Sequence, residues 1–185
     1  MDRVRLARRR PRGGRLTPSP ELEALHRANE AYAAAFKGHA LPRPPRRPVA
    51  VLTCIDARVD PAQALGLALG DAHVLRNAGA RATDDAIRSL LISTWLMGTR
   101  EIVVMHHTDC GLAGATDASI VATVHKEGGP DLSDMAFLTF PDAEMCLRDD
   151  VERIRGLGDR LPSGVRVSGY EYDVRTGRVR EVVPA

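Results

Sequence analysis

Aromatic residues make up only 4% of the 185-residue chain, so its core has to be built from aliphatic and small side chains. Cysteine is scarce as well. Cys54, Cys110 and Cys146 are three thiols, not the even framework that staples a small secreted domain. None of them stands in a Cys-x-x-Cys pair, the spacing a dithiol redox site uses. No apolar run reaches the roughly 18 residues of a membrane span. The arginine-rich head "RRRPR" lacks the apolar stretch of about 7–15 residues that would make it a secretory signal. These absences leave a cytoplasmic protein as the expectation. An apolar fraction of 44% with 27% charged residues is ordinary for a globular protein, and the length suits one domain.

The net charge of +2 hides an asymmetry. Residues 1–15 hold seven Arg against one Asp, a net of +6, which leaves the rest of the chain at −4. Residues 1–18 are therefore expected to form a disordered basic extension ahead of a single domain over 19–185. Nucleic-acid binding would rest on that head alone and is not expected.

From Ser19 the pattern "SPELEALHRANEAYAAAF" predicts a helix, with Ser as N-cap, Pro at the first helical position and two Glu in the first turn. The connector "GHALPRPPRRP" follows, with four prolines in 11 residues. Three short apolar runs, "PVAVLT" (48–53), "AHVLRN" (72–77) and "EIVVMH" (101–106), then alternate with helical patterns. Such runs belong to a parallel sheet covered on both faces. "TDDAIRSLLISTWLMG" predicts a helix capped by Thr83 and closed by Gly98, with Ile87, Leu90, Leu91, Thr94 and Trp95 on its inward face and Trp95 in the core. "DAEMCLRDDVERIRGLG" reads as a further amphipathic helix, and "VRVSGYEYDVRTGRVREVV" as two strands around Thr176-Gly177, the second an antiparallel edge. Residues 111–142 show no clear pattern. The expected fold is α/β, with about four parallel strands, one antiparallel edge strand and flanking helices.

Ligands of such sheets sit beyond the carboxyl ends of the strands. There the first run ends in "TCIDAR" and the third in "MHHTDCGL". Parallel, adjacent strands would bring Cys54 together with His107 and Cys110, two thiolates and an imidazole. That is a zinc ligand set, and three protein ligands leave a position open for catalysis. A cysteine nucleophile with a histidine base is the alternative, but it leaves the second thiol unused. His107-x-x-Cys110 has chelating spacing, whereas His106 should point to the other face and pack beside the site. His26, His39, His73 and His125 read as surface or packing residues, and Cys146 as structural. Asp56 and Arg58, two apart, are expected to form a charge-assisted pair that keeps Asp56 ionised.

The block Cys54-x-Asp56-x-Arg58 with His107-x-x-Cys110 resembles the zinc-site signature of the β-class carbonic anhydrases. "GDAHVLRNAGA", "DDAIRSL", "GTREIVVMHHTDCGL" and "GYEYDVRTGRVREV" resemble the short bacterial and archaeal branch of that family. The resemblance spans about Glu21 to Val183. It implies one Zn2+ per subunit on Cys54, His107 and Cys110, with Asp56 and Arg58 as the catalytic dyad and Asp56 as a fourth ligand in a resting state of some members. It also implies a homodimer or homotetramer whose N-terminal helix extends onto a partner subunit. The implied reaction is reversible hydration of carbon dioxide by zinc-bound hydroxide. Backbone groups of Asn77, Ala78, Gly79 and Gly111 would line the substrate pocket. Hydrolysis of carbonyl sulfide or carbon disulfide on the same scaffold, and a non-catalytic zinc module, are the competing readings.

Overall fold

The computed structural model describes residues 19–185, so the expected basic extension over 1–18 lies outside the described residues. The described chain divides after Ala40. Ahead of that point lies α1 (Pro20–Ala34), whose Ser19 side chain accepts a hydrogen bond from the Leu22 N–H at 3.2 Å, the cap its sequence predicts.

The unit from Leu41 onward is built on a five-stranded sheet of order β2-β1-β3-β4-β5. Its strands are β1 (Val49–Cys54), β2 (Ala72–Asn77), β3 (Glu101–His107), β4 (Arg166–Tyr172) and β5 (Val179–Val183). The first four run parallel and β5 antiparallel, the expected arrangement. Its helices are α2 (Pro61–Ala64), α3 (Asp84–Met97), α4 (Asp117–Lys126) and α5 (Ala143–Arg155).

Crossover handedness explains where the helices lie. The connections β2 to β3 and β3 to β4 advance in one direction across the sheet, so right-handed crossovers put α3 and α5 on the same face. There Leu90 of α3 and Leu147, Val151 and Ile154 of α5 pack on Ala50, Leu52, Ile102, Val104 and Val167. The connection β1 to β2 runs the other way and places α2 opposite, where Val59, Leu65 and Leu67 pack on Val51, Val103 and Met105. The expectation of helices over both faces therefore holds in unequal form, with two long helices on one side and a single turn on the other. At Gly169 of β4 an added Cβ would lie 3.1 Å from Val151 and 3.2 Å from Leu147, so glycine is what lets α5 approach the strand.

Helix α3 carries its predicted caps, with Thr83 accepting from the Ala86 N–H and Gly98 in the left-handed conformation. Its buried face is Ala86, Leu90, Ser93 and Thr94, rotated from the predicted one. Trp95 is 58% exposed and donates its indole N–H to the Arg160 carbonyl at 2.7 Å, so it is not a core residue. No helix among the described residues is long and apolar enough to cross a membrane.

Candidate metal centre

The sheet's connections change direction at β1, and the carboxyl ends of β1 and β3 form the crevice where such sheets bind ligands. The Thr53 hydroxyl donates to the Met105 carbonyl at 2.8 Å and ties these ends together. After Cys54 the chain turns. The Asp56 carboxylate accepts the Arg58 backbone N–H at 2.9 Å, an Asx-type turn, and Val59, 1% exposed, plugs back into the core. Asp60 then caps α2 through the N–H groups of Ala62 and Gln63. From β2, the Arg76 guanidinium donates to the carbonyls of Cys54 and Asp56 at 2.8 and 2.7 Å. The segment after β1 is thus pinned at both ends.

Within this frame the ligand atoms of Cys54, His107 and Cys110 lie within 4.8 Å of one another, and all three residues are buried. Zinc bonds thiolate at about 2.3 Å and imidazole at about 2.0 Å, so one ion can reach donors at this spread. Two further observations fit a cation. His107 donates its Nδ1–H to the Thr108 carbonyl at 2.9 Å, which fixes the ring and leaves Nε2 as the nitrogen able to ligate a metal. That Nε2 is buried without a hydrogen-bond partner. Burial opposes a positive charge on His107, yet the adjacent Cys54 sulfur, the Thr108 carbonyl and Asp56 outweigh it and push its pKa up. Of the two thiols, Cys54 ionises far more readily than a free cysteine, chiefly because the Cys110 thiol stabilises its anion, with His107 and the Asp56 and Gly79 N–H groups assisting. Cys110 is pushed up, first by that same contact with Cys54 and then by burial. The cluster thus collects negative charge and a free lone pair in a buried place, a demand that a divalent cation meets.

Asp56 and Arg58 form the expected pair through the turn rather than along an extended strand. Arg58 donates from Nε to Asp56 Oδ1 at 3.0 Å and from Nη2 to Oδ2 at 2.8 Å. These bonds hold the Asp56 carboxyl well below the usual carboxylate range. Its Oδ2 lies 3.8 Å from His107 Nε2, at the edge of the donor cluster.

The turn Ala78–Ala80 covers the cluster from the β2 side. Gly79 is in the left-handed region (φ 77°), where an added Cβ would meet Leu112 at 3.0 Å and Phe140 at 3.3 Å, so glycine is needed here. Asn77 spends its side chain inside this turn, exchanging hydrogen bonds with the backbone of Arg81. Ala78 and Gly111 are exposed.

His106 points to the opposite face, as strand alternation predicts, and lies 3.4 Å from the carboxylate of buried Asp150. Among the described residues, His106, Cys146 and Asp150 make a second group with metal-ligand atoms. A cation does not belong there, because Arg81 Nε already donates to Asp150 Oδ2 at 2.8 Å and supplies the positive charge. Asp150 also accepts the Ala82 N–H at 2.9 Å. The Arg81–Asp150 pair therefore holds the turn above the cysteines. Sequence reasoning missed it because 69 residues separate the partners and nothing local marks them. It also missed Asp109, a second partner of Arg58, whose one signal is a carboxylate standing between the candidate ligands His107 and Cys110.

A family model described as carbonic anhydrase matches residues 49–133. Beta-carbonic anhydrase 1 of Mycobacterium tuberculosis is 42% identical over 158 residues, covering 84% of this chain and 94% of that protein. The chain belongs to the β-carbonic anhydrase family. Among solved structures, the carbonic anhydrase from Streptococcus mutans resembles it with a TM-score of 0.83 and 45% identity, over 90% of this chain and 99% of that one. The β-carbonic anhydrase fold is also close to proteins of another name. Carbon disulfide hydrolase of Acidianus sp. is 37% identical over 163 residues, covering 75% of this chain and 78% of that protein.

Proposed function

We propose that this chain catalyses the reversible hydration of carbon dioxide to bicarbonate and a proton, with one zinc ion per subunit held by Cys54, His107 and Cys110. Asp56 and Arg58 are the catalytic dyad in this reading. The observation that carries it is the meeting of three buried donors, one an unpartnered ring nitrogen, beside a carboxylate kept ionised by a guanidinium. Zinc, when bound, supplies the Lewis acidity that turns water into a nucleophile near neutral pH.

The chain's own residues do the rest. Cys54 and Cys110, both as thiolates, balance the charge of the dication. Because the proton on Cys110 is held tightly beside the Cys54 anion, loading must expel it, so metal affinity rises with pH. Asp56 is left with acceptor capacity on Oδ2 after Arg58 has taken its share, and it accepts a hydrogen bond from the attacking water and aims that water's lone pair at the substrate. Ala80, Leu112 and Phe140 pack around the cysteines and keep bulk water from the inner side.

Asp56→Asn is expected to keep its zinc while losing hydration activity by at least about a hundredfold, because the amide cannot serve as the anionic acceptor. Metal analysis and stopped-flow hydration rates check this, and full activity in the variant would remove the dyad from the mechanism. The carbon disulfide hydrolase relatives favour one second reading, hydrolysis of carbon disulfide or carbonyl sulfide by the same residues. Hydrogen sulfide release measured beside carbon dioxide hydration on one preparation separates the two. The family reading also carries the proposal that the chain assembles as a homodimer or homotetramer.

A further inference from the structure

Asp109 stands outside the metal ligands and the dyad, yet it contacts Arg58 about as closely as Asp56 does. Arg58 Nη1 donates to Asp109 Oδ2 at 2.7 Å, and Nη2 donates to the Asp109 carbonyl at 2.9 Å. The guanidinium therefore uses one edge on Asp56 and the other on Asp109, and it bridges the ends of β1 and β3. Asp109 also holds a left-handed backbone conformation (φ 56°) that few residues other than Gly, Asn and Asp adopt readily. That conformation sends both its carboxylate and its carbonyl toward Arg58.

We infer that Asp109 is a positioning residue that latches Arg58, so that the guanidinium keeps the Asp56 carboxylate turned away from the metal position. The inference rests on the zinc reading above. The geometry explains why a latch is needed. Asp56 Oδ2 is only 3.8 Å from His107 Nε2, close enough for a small rotation to make the carboxylate a fourth ligand and close the position that water must occupy. Arg58 opposes that rotation only while it is itself fixed. Its side chain is 47% exposed, so without a second anchor it would sample other rotamers in solvent. Asp109 supplies that anchor from the turn that follows β3, two residues beyond His107.

Asp109→Asn keeps a residue tolerant of the left-handed conformation but removes the charge that grips Arg58. The zinc form of this variant should carry a full metal load and lose about threefold to tenfold in kcat/KM. With cobalt in place of zinc, its visible spectrum should shift from that of the parent protein, as expected when a carboxylate joins the metal. The double variant Asp56→Asn/Asp109→Asn should give the spectrum of Asp56→Asn alone, because no carboxylate remains to move. A spectrum of Asp109→Asn identical to the parent's, or a shift that persists in the Asp56→Asn background, overturns the latch. Should Asn at this position disturb metal loading, Asp109→Gly, which adopts a positive φ without strain, carries the same expectation. A parent protein that takes up no zinc, or takes it up and does not hydrate carbon dioxide, would instead sink the underlying functional reading.

Discussion

Cys110→Ser is expected to cost the protein its zinc. A serine hydroxyl stays protonated near neutral pH, so the variant replaces one of two thiolates with a neutral, harder donor. Removing even a group that only supports a ligand typically weakens metal binding by about 10–100-fold, so loss of a direct ligand should exceed that range. The same substitution at Cys54 and His107→Ala should act alike, since the three donor atoms lie within 4.8 Å of one another and an ion there needs all of them. Metal content after dialysis against a weak chelator reads the effect directly. Retention of one zinc per chain in Cys110→Ser would remove this cysteine from the ligand set.

The second large effect concerns stability. Asp150 is 3% exposed and joins Arg81, itself 19% exposed, to the Ala82 N–H and His106. Asp150→Ala leaves the arginine charge and the amide without partners in a poorly solvated place, which costs about 3–5 kcal/mol. For a chain of this size that corresponds to a fall of roughly 8–15 °C in Tm. Urea denaturation of both proteins checks the figure, and a loss below about 1 kcal/mol would mean that the pair is not a structural anchor. Replacing Arg81 and Asp150 together by apolar residues should recover part of the loss, because no unpaired charge then remains. The pH dependence has a definite sign. Burial works to raise the Asp150 pKa, but His106, the Ala82 N–H and Arg81 outweigh it and hold it below its ordinary 3.8. A depressed carboxyl contributes stability above its unfolded value and loses it as pH falls through the folded value. The parent protein should therefore shed this contribution below about pH 4, and the stability of Asp150→Ala should vary less over that range.

These two predictions mark what the sequence disclosed and what it concealed. The runs that became β1 and β3 were legible because a strand buried on both faces needs no alternation, and Ala50 to Cys54 are buried throughout, whereas β2, at the sheet edge, is only partly buried and showed itself by its apolar run alone. Their parallel pairing placed a thiol at the end of one and a histidine at the end of another, so the candidate donors Cys54 and His107 could be read from strand ends and Cys110 from its spacing to His107. The caps of α1 and α3 were legible because capping is local chemistry. Helix α4 was not. Its capping box joins Thr116 to Ser119 rather than to the usual Glu or Gln, and it buries no side chain, so neither signal stood out. Trp95 was misplaced because hydrophobicity assigned it to the core, whereas its indole N–H is satisfied at the surface by the Arg160 carbonyl. Asp150 and Asp109 were hidden for a different reason. Each takes its meaning from an arginine in a distant segment, 69 residues away for Asp150 and 51 for Asp109, and only the folded sheet brings the partners together.

The dyad shows the limit of reading by periodicity. Two-residue spacing correctly suggested that Asp56 and Arg58 would meet, but the strand has ended by then. The contact is made by a turn that Asp56 itself closes. That turn, the Arg76 clamp on the carbonyls of Cys54 and Asp56, and the Asp109 contact all restrain the same few residues. Such redundancy suits the proposed role of Asp56, a carboxylate held near the metal position without being captured by it.

Stopped-flow measurement of carbon dioxide hydration on the purified protein, with zinc quantified in the same sample, tests the central claim most directly. The account predicts about one zinc per chain, hydration well above the uncatalysed rate, loss of both on chelation and recovery of both when zinc is returned. Zinc-loaded protein that does not hydrate carbon dioxide, or metal-free protein that hydrates it equally well, would contradict it.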